Sequence, residues 1–485
     1  MRKTITMIVT TMTALAVTGV AHAESRDTAP VSVTWAQCPG IPGAECGTLP
    51  VPLDYRKPDG KTIEIALSRI KSTNPEKRRG VLFTNPGGPG VAGLSFPATL
   101  IADGLPQRVR DAYDLIGIDP RGVGRSTPVT CDLTPEQTIR GNIPPYAVTA
   151  NDVTTWAKES RRIAQQCATS SSAWMLPHVS TANAARDLDR IRTALGERKA
   201  SFLGYSYGTY LGAVYTTLFP RNSDRVVLDS SLPEKGWDAE GGRGFGRGFE
   251  ERFPDFAKWA AARPGYGLGH TPAQVRAKYF DLAGRLDRAA VQGVDGPAFR
   301  QYSFIYSYDD RQFPLLAESW KALDTNQPLP VVDDGAAPDP ENAIAARLYT
   351  VCADSRWPTK VSTYQADVAI DRIRYPLFGA AAANIQPCAF WRDPAEEAVR
   401  IGGRGPADVL IAQNDRDPGT PLAGAQRMRR ALGDRAVMVH ADQGGHGAFV
   451  FTPNRCLNST VESFLAGGER PARDLRCAAE SGARR

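Results

Sequence analysis

Short apolar stretches alternate with stretches of helical periodicity along most of the chain. Apolar runs of strand length occur at residues 80–85, 113–119, 200–206, 225–230, 408–413 and 436–441. Helical spacing occurs at residues 181–196, 207–219 and 421–433, and Thr181 is the expected N-cap of the first of these helices. This alternation predicts an α/β fold with a mostly parallel sheet and helices on both faces.

One long interval interrupts the alternation. Residues 231–407 lie between two predicted strands, whereas a strand–helix–strand crossover needs only about 30 residues. Helical patterns dominate this interval, for example at residues 271–289, 313–324 and 340–355. We therefore expect a large helical cap inserted over the carboxyl edge of the sheet.

The expected core spans residues 24–232 and 406–485, and the cap spans residues 233–405 between them. A glycine-rich stretch, residues 241–249, lies near the start of the cap. It follows no predicted strand and lacks the lysine of a phosphate-binding loop, so we interpret it as a mobile hinge or rim.

The first residues have the pattern of an export signal. Arg2 and Lys3 precede an apolar run at residues 5–20, and Ala-His-Ala at residues 21–23 is a typical cleavage site. Residues 1–23 are interpreted as a signal peptide rather than a membrane anchor, because the run is short and rich in threonine. This predicts a secreted protein.

Composition excludes some classes of partner. Apolar residues make up 42% of the 485 residues and charged residues 23%, which is ordinary for a globular protein. The net charge of +6 falls to +4 when Arg2 and Lys3 leave with the signal peptide, and this is too little to favour nucleic acid. We expect a monomer that binds neither nucleic acid nor a membrane.

Eight cysteines follow the signal peptide, and an even number in an exported protein predicts disulfides. Eight cysteines permit 105 pairings. Pairing of nearest neighbours closes the smallest loops and favours Cys38–Cys46, Cys131–Cys167, Cys352–Cys388 and Cys456–Cys477. Their wide separation and the lack of a Cys-x-x-Cys motif argue against metal binding, and no cofactor is expected.

The sequence "GYSYG", residues 204–208, has Gly-x-Ser-x-Gly spacing. The motif is weak alone, but this serine lies where a predicted strand meets a predicted helix, as the motif requires. Glycines on both sides leave room for the sharp turn. Ser206 is therefore the predicted nucleophile.

A serine nucleophile needs a base, and His446 is the best-placed histidine. It lies in a glycine-rich loop directly after the last long predicted strand, at the same edge of the sheet as Ser206. His440 lies within that strand and is expected to be structural. His178 and His270 are interpreted as surface or packing residues.

The base needs a carboxylate that orients its ring. Asp417, in the turn before a helix, is preferred to Asp415, which lies nearer the end of the strand. Asp229 is interpreted as a turn residue that accepts hydrogen bonds from backbone. The chain order Ser, Asp, His is that of α/β-hydrolases.

Stabilisation of an oxyanion needs backbone N–H groups aimed at it. One is expected from Tyr207, the residue after the nucleophile. The other is expected from Gly88 in the loop "NPGGPG", residues 85–90, where glycines permit a close approach of the backbone.

The motifs "NPGGPG", "DPRGVGRS", "GYSYGTYLGAVY", "RVVLDS", "DPGTP" and "GGHG" occur in this order. Together they resemble the secreted bacterial tripeptidyl aminopeptidases, which have the α/β-hydrolase fold and are related to proline iminopeptidases and to prolyl tri- and tetrapeptidyl aminopeptidases. The resemblance runs from about residue 35 to residue 480. It implies a Ser206–Asp417–His446 triad and removal of short peptides from free N-termini, with a helical cap that limits substrate length.

An aminopeptidase must also hold the ammonium of its substrate, which calls for carboxylates in the cap. Glu250, Glu251 and Asp354 are the predicted candidates, although each could equally be an ordinary solvated carboxylate. The expected substrate is a peptide or small protein. The alternatives are a secreted carboxylesterase or lipase with the same triad and a non-catalytic binding protein on a hydrolase scaffold.

Overall fold

The computed structural model describes residues 32–140, 143–331 and 339–480. The predicted signal peptide, residues 1–23, lies outside the described residues. In the part of the chain that is described, no helix is both long and apolar enough to cross a bilayer.

Among the described residues, ten strands form one sheet in the order β1-β2-β3-β5-β4-β6-β7-β8-β9-β10. They are β1 Ala36–Gln37, β2 Glu45–Pro52, β3 Thr62–Ile70, β4 Gly80–Asn85, β5 Tyr113–Ile118, β6 Ala200–Tyr205, β7 Ser223–Asp229, β8 Val409–Arg416, β9 Ala436–Gly444 and β10 Leu475–Cys477. Pairing is antiparallel from β1 through β3 to β5 and parallel across the rest of the sheet.

The helices lie on both faces of the sheet and in the long insertion between β7 and β8. They are α1 Phe96–Ala102, α2 Gln107–Ala112, α3 Pro135–Arg140, α4 Ala150–Thr169, α5 Thr181–Ala194, α6 Tyr207–Leu218, α7 Ala239–Ala261, α8 Pro272–Arg288, α9 Gly296–Tyr306, α10 Phe313–Thr325, α11 Pro340–Asp354, α12 Val361–Arg374, α13 Gly379–Ala382, α14 Leu422–Leu432 and α15 Arg455–Glu462.

All six strands predicted from apolar runs are confirmed, and so is the mostly parallel α/β sheet. The expected cap of α5 is wrong by one residue. Ser180 is the N-cap, and its side chain accepts a hydrogen bond from the Asn183 N–H. Thr181 lies in the first turn, where its hydroxyl instead contacts Tyr207 and Asp354. Serine and threonine are both favoured N-cap residues and stand side by side here, so the sequence pattern alone leaves the N-cap uncertain by one residue.

The order of the central strands creates a crevice at the carboxyl edge of the sheet. The chain passes from β4 to β5 on one side of β4 and then returns to β6 on its other side. In open parallel sheets, ligands bind outside the carboxyl ends of strands at such a switch point. The loop after β4 and the turn at Ser206 after β6 therefore face the same crevice.

The prediction of a mobile hinge at residues 241–249 is wrong, because this stretch lies within α7. Phe245, Phe249 and Phe253 recur at helical spacing along the helix and are buried in an aromatic cluster. The glycines permit close packing around them. A Cβ on Gly246 would lie 2.8 Å from Cα of Gly379 in α13.

Gly248 brings α7 against the segment after β8. A Cβ at this position would lie 2.2 Å from the carbonyl oxygen of Pro418, a distance that non-bonded atoms do not adopt. Pro418 directly follows Asp417 in the chain. The glycine-rich helix therefore packs against the turn that carries the predicted carboxylate.

We expect Gly248→Ala to lower the free energy of unfolding by about 1–3 kcal/mol, because the methyl group overlaps the backbone of Pro418. Gly244→Ala is the matched control in the same helix, because its Cβ would meet no atom closer than 3.9 Å. That variant should be more stable by up to about 1 kcal/mol, the helix propensity of alanine over glycine. Urea unfolding measures the free energy of unfolding of both variants. Equal changes in the two variants would contradict the close contact between Gly248 and Pro418.

Four disulfides join Cys38 to Cys46, Cys131 to Cys167, Cys352 to Cys388 and Cys456 to Cys477, which is the nearest-neighbour pairing. No group of three or more His, Cys, Asp or Glu side chains within the described ranges is arranged to hold a metal ion.

Candidate active site

Ser206 occupies a strained turn between β6 and α6. Its backbone has φ 54° and ψ −122°, a region that non-glycine residues rarely adopt. A Cβ on Gly204 would lie 2.5 Å from the carbonyl oxygen of Gly208, so the chain can turn this tightly only without one. A Cβ on Gly208 would lie 2.7 Å from Oδ1 of Asn85. The Gly-x-Ser-x-Gly spacing thus follows from packing as well as from the turn.

The loop after β4 approaches this turn through Gly87. A Cβ on Gly87 would lie 2.8 Å from Cβ of Ser206. The Gly87 N–H donates to Oδ1 of Asn85 at 3.0 Å and is therefore already used. The next N–H along the loop is that of Gly88. Neither that N–H nor the N–H of Tyr207 has an acceptor among the described residues. Both N–H groups predicted for the oxyanion are therefore available to a bound ligand.

His446 pairs with Asp417. Its Nδ1 lies 2.9 Å from Oδ1 and 3.0 Å from Oδ2 of Asp417, whose side chain is fully buried. The same carboxylate accepts hydrogen bonds from the N–H groups of Gly419 and Thr420 and from the Thr420 hydroxyl, each at 2.8 Å. These contacts fix the carboxylate, so that Nδ1 is the protonated nitrogen of a neutral ring and Nε2 is the free base.

The loop that carries His446 is tied to the strand beside Ser206. The buried carboxylate of Asp229, at the end of β7, accepts hydrogen bonds from the N–H groups of Ala448 and Phe449, both at 2.7 Å. The carbonyl of Asp229 accepts from the Ser206 N–H at 3.0 Å. Burial raises the pKa of Asp229 to about 7, although these hydrogen bonds oppose the shift. Asp229 thus has the predicted contacts to backbone. Through these contacts it also links the serine turn to the histidine loop.

Asp415 serves a different histidine. Its Oδ1 lies 2.5 Å from Nδ1 of His440, and its Oδ2 accepts a hydrogen bond from Arg476 at 3.1 Å. Asp417, rather than Asp415, therefore contacts His446. Regular alternation would place both side chains on one face, but the register of β8 shifts between Asn414 and Arg416, and Asp417 lies beyond the end of the strand.

Tyr308 is a residue of this site that sequence reasoning missed. Its carbonyl accepts a hydrogen bond from the His446 N–H at 2.7 Å, and the two rings lie 4.8 Å apart. Tyr308 lies just after α9 in the helical insertion, and no local motif marks it. Only the packing of the insertion onto the sheet brings it to the histidine.

We expect kcat/KM to rise with pH along a one-proton limb whose midpoint lies above 6.5. Burial alone would lower the pKa of the His446 imidazole, but the charge and hydrogen bond of Asp417 outweigh burial and hold this pKa above 6.5. The base works only when neutral, so activity is lost as the pH falls through the raised pKa. Initial rates between pH 5 and 9 measure the midpoint, and a midpoint below 6.5 would contradict the pairing.

The three carboxylates predicted to hold a substrate ammonium already have partners in the fold. Glu250 forms an ion pair with Arg276, and Glu251 forms one with Arg247 at 2.7 Å. Asp354 is buried and accepts hydrogen bonds from the N–H and hydroxyl of Thr181 at 2.7 and 2.5 Å. Burial raises the pKa of Asp354 to about 7, in spite of these hydrogen bonds. Each of the three thus has a partner within the fold, and their role in holding a substrate ammonium stays a prediction.

The chain is similar to known proteins over nearly its full length. A family model described as a TAP-like protein matches residues 375–477. The chain is 36% identical to a tripeptidyl aminopeptidase of Streptomyces lividans over 95% of this chain and 89% of the relative. It is 29% identical to the serine protease Hip1 of Mycobacterium tuberculosis (92% and 91% covered) and 30% identical to carboxylesterase B of the same species (90% and 86% covered).

The match to the Streptomyces protein extends over nearly the full length of both chains. It confirms the resemblance predicted from the motifs, and the sheet confirms the predicted fold class. The protein is a serine hydrolase of the peptidase type with an α/β-hydrolase fold, and it belongs to the tripeptidyl aminopeptidase family.

Proposed function

We propose that the protein is an exported exopeptidase that releases short peptides, tripeptides first among them, from free N-termini, with Ser206 as nucleophile. The observation that supports this most directly is the Asp417–His446 pair, whose histidine loop is tied through Asp229 to the strained Ser206 turn. The likeness to a tripeptidyl aminopeptidase supports the size of the product. Export is supported by the pattern of residues 1–23 and by the four disulfides.

In the first half of the reaction, Nε2 of His446 removes the proton from the Ser206 hydroxyl while the oxygen attacks the peptide carbonyl carbon. Asp417 stabilises the imidazolium that forms and keeps Nδ1 protonated. The N–H groups of Gly88 and Tyr207 donate to the carbonyl oxygen as it gains negative charge.

Collapse of the tetrahedral intermediate breaks the carbon–nitrogen bond, and His446 gives its proton to the leaving amine. The released N-terminal peptide is then held as an ester on Ser206. His446 removes a proton from water as the water oxygen attacks this ester. The ester bond to Ser206 then breaks, His446 returns the proton to the serine oxygen, and the peptide leaves as a carboxylate. No step requires a metal or an organic cofactor.

Ester hydrolysis is a second candidate, because one relative is named carboxylesterase B. The same triad and oxyanion donors would cleave an ester, whose alcohol leaves more readily than an amine. A panel of peptidyl p-nitroanilides beside p-nitrophenyl esters compares the two reactions. Higher kcat/KM on simple esters than on every peptide anilide would favour the esterase.

We expect N-acetylation of a tripeptidyl p-nitroanilide to lower kcat/KM by about 100-fold, because a charge-assisted contact to the ammonium is lost. The matched control is acetylation of a lysine side chain within the same peptide, which removes a charge but leaves the N-terminus free. Equal turnover of the free and the N-acetylated peptides would contradict an aminopeptidase and leave an endopeptidase or esterase.

A further inference from the structure

Arg347, on α11, is a buried arginine without an acidic partner. The residue is only 5% exposed, and no carboxylate or hydrogen-bond acceptor among the described residues contacts its guanidinium. Other buried arginines of the protein are paired. Arg121 binds Asp187 at 2.6 Å, and Arg435 binds Asp408 at 3.0 Å. Arg347 therefore differs from the arginines that stabilise the fold.

An unpaired buried charge destabilises a protein, since nothing replaces the water that it gives up. Burial lowers the pKa of Arg347 to about 10, so the guanidinium is still charged at neutral pH. The guanidinium lies over the ring of Trp237, whose centroid is 4.4 Å from the guanidinium carbon. This contact supplies a weak attraction and accepts no hydrogen bond from the guanidinium. Groups held at such a cost often have a role in binding.

The backbone of α11 at Arg347 borders the loop that carries Gly88, one of the two predicted oxyanion donors. Gly90 of that loop packs on α11, where a Cβ would lie 2.1 Å from the Ala343 carbonyl oxygen and 3.0 Å from the backbone nitrogen of Arg347. The loop reaches Ser206 through Gly87, three residues earlier. The turn of α11 that carries Arg347 is thus joined to the serine turn by a short and closely packed segment.

The side chain of Arg347 leads to His446. Trp237 contacts Phe245 with centroids 5.0 Å apart, and Phe245 contacts Phe304 at 5.1 Å. Phe304 contacts Tyr308 at 5.3 Å, and Tyr308 contacts the histidine. Burial raises the pKa of the Tyr308 phenol, and the positive charge of Arg347 lies near enough to oppose part of that rise. Arg347 is therefore enclosed between the oxyanion loop and the tyrosine that borders the base.

We propose that Arg347 binds a carboxylate of the peptide substrate near the scissile bond, so that acidic peptides are preferred. The guanidinium fork matches a carboxylate in geometry and charge, and a buried site strengthens the pair. The carboxylate could belong to an Asp or Glu side chain or to the free C-terminus of a short peptide. This inference rests on the proposed function of Ser206, since it concerns the substrate of the same site.

The test uses the full-length protein and two pairs of peptides. The first pair has Glu or Gln immediately before the cleaved bond of a tripeptidyl p-nitroanilide. The second pair is a tetrapeptide with a free or an amidated C-terminus, with products separated by chromatography. We expect kcat/KM to be at least about 10-fold higher for the acidic member of one pair, and that pair identifies the source of the carboxylate.

Arg347→Met should bring this ratio close to one, and Arg347→Lys should keep part of it, because lysine retains the charge without the fork. Arg186→Met is the matched control, because it removes a half-buried arginine that is paired with Glu396. It should keep the wild-type ratio. Urea unfolding of Arg347→Met distinguishes a role in substrate binding from a structural role. Removal of an unpaired buried charge should leave the urea midpoint unchanged or raise it, whereas loss of a structural contact would lower it.

A wild-type protein without preference in either pair would overturn the proposal, whether or not the variants fold. An unchanged ratio in Arg347→Met would overturn it as well. Calorimetry of the same peptides with Ser206→Ala separates this inference from the proposed reaction. Tighter binding of the acidic peptide, with no cleavage by the wild type, would support the carboxylate site and contradict only the exopeptidase. Equal binding with no cleavage would contradict both.

Discussion

Ser206→Ala is expected to lower kcat by about a million-fold, because no other group at the turn can form the acyl-enzyme. A small residual rate above that of water should survive, since the N–H groups of Gly88 and Tyr207 still stabilise the oxyanion. Tripeptidyl p-nitroanilide hydrolysis measures the loss. Labelling with a fluorophosphonate checks the nucleophile directly, and only the wild type should react, with one label per chain.

Ser201→Ala is the matched control, because Ser201 lies near the start of β6, the strand that ends just before Ser206. It is fully buried, and its hydroxyl donates to Tyr113 at 3.2 Å. This variant should lose about 1 kcal/mol of stability and keep its kcat. If Ser206→Ala kept its activity while remaining folded, the nucleophile would have to lie elsewhere.

Asp417→Asn is expected to lower kcat by about 10,000-fold. The amide cannot stabilise an imidazolium. Its NH2 group would also face either the N–H donors of Gly419 and Thr420 or the protonated Nδ1 of His446. The ring would then turn or adopt the wrong tautomer. The same assay measures this loss, and circular dichroism shows whether the variant is folded.

Asp415→Asn is the comparison that separates the two aspartates. It should change kcat by less than about 10-fold, because Asp415 shares no partner with the Asp417–His446 pair and its loss should not be coupled to that pair. Asp415 contacts His440 and Arg476, and neither of these residues contacts Asp417 or His446. A large loss in Asp415→Asn with a small one in Asp417→Asn would reverse the assignment.

The sequence predicted those features that local patterns determine. Apolar runs predicted β4 to β9, and the placement of a strand before a helix distinguished Ser206 from an incidental serine. Chain order placed His446 after β9, where its loop lies at the carboxyl edge. Each of these features depends on a few neighbouring residues and on the general geometry of parallel sheets.

Features that depend on contacts between distant segments were not predicted. The interpretation of residues 241–249 as a hinge is wrong, because the glycines serve close packing instead. The backbone that they accommodate belongs to Gly379 and Pro418, far along the chain, and the sequence does not show that contact. The phenylalanine spacing in the same stretch was the local signal for a helix, and it is visible in the sequence.

The same limit applies to the carboxylates proposed for substrate binding. Charge alone could not show that Glu250 and Glu251 have arginine partners. Nor could it show that Asp354 accepts a hydrogen bond from the first N–H of α5. Tyr308 and Arg347 carry no motif, so only the packed insertion reveals their positions. Partners contributed by distant helices are the information that a single sequence lacks.

The hydrogen bond from the His446 N–H to the Tyr308 carbonyl joins the base to the helical insertion, in addition to the bonds that join its loop to the sheet. Gly248 against Pro418 makes a second such link, on the carboxylate side. Lifting the insertion away from the sheet would therefore break a hydrogen bond to the backbone of the base, which couples any movement of the insertion to the position of the imidazole.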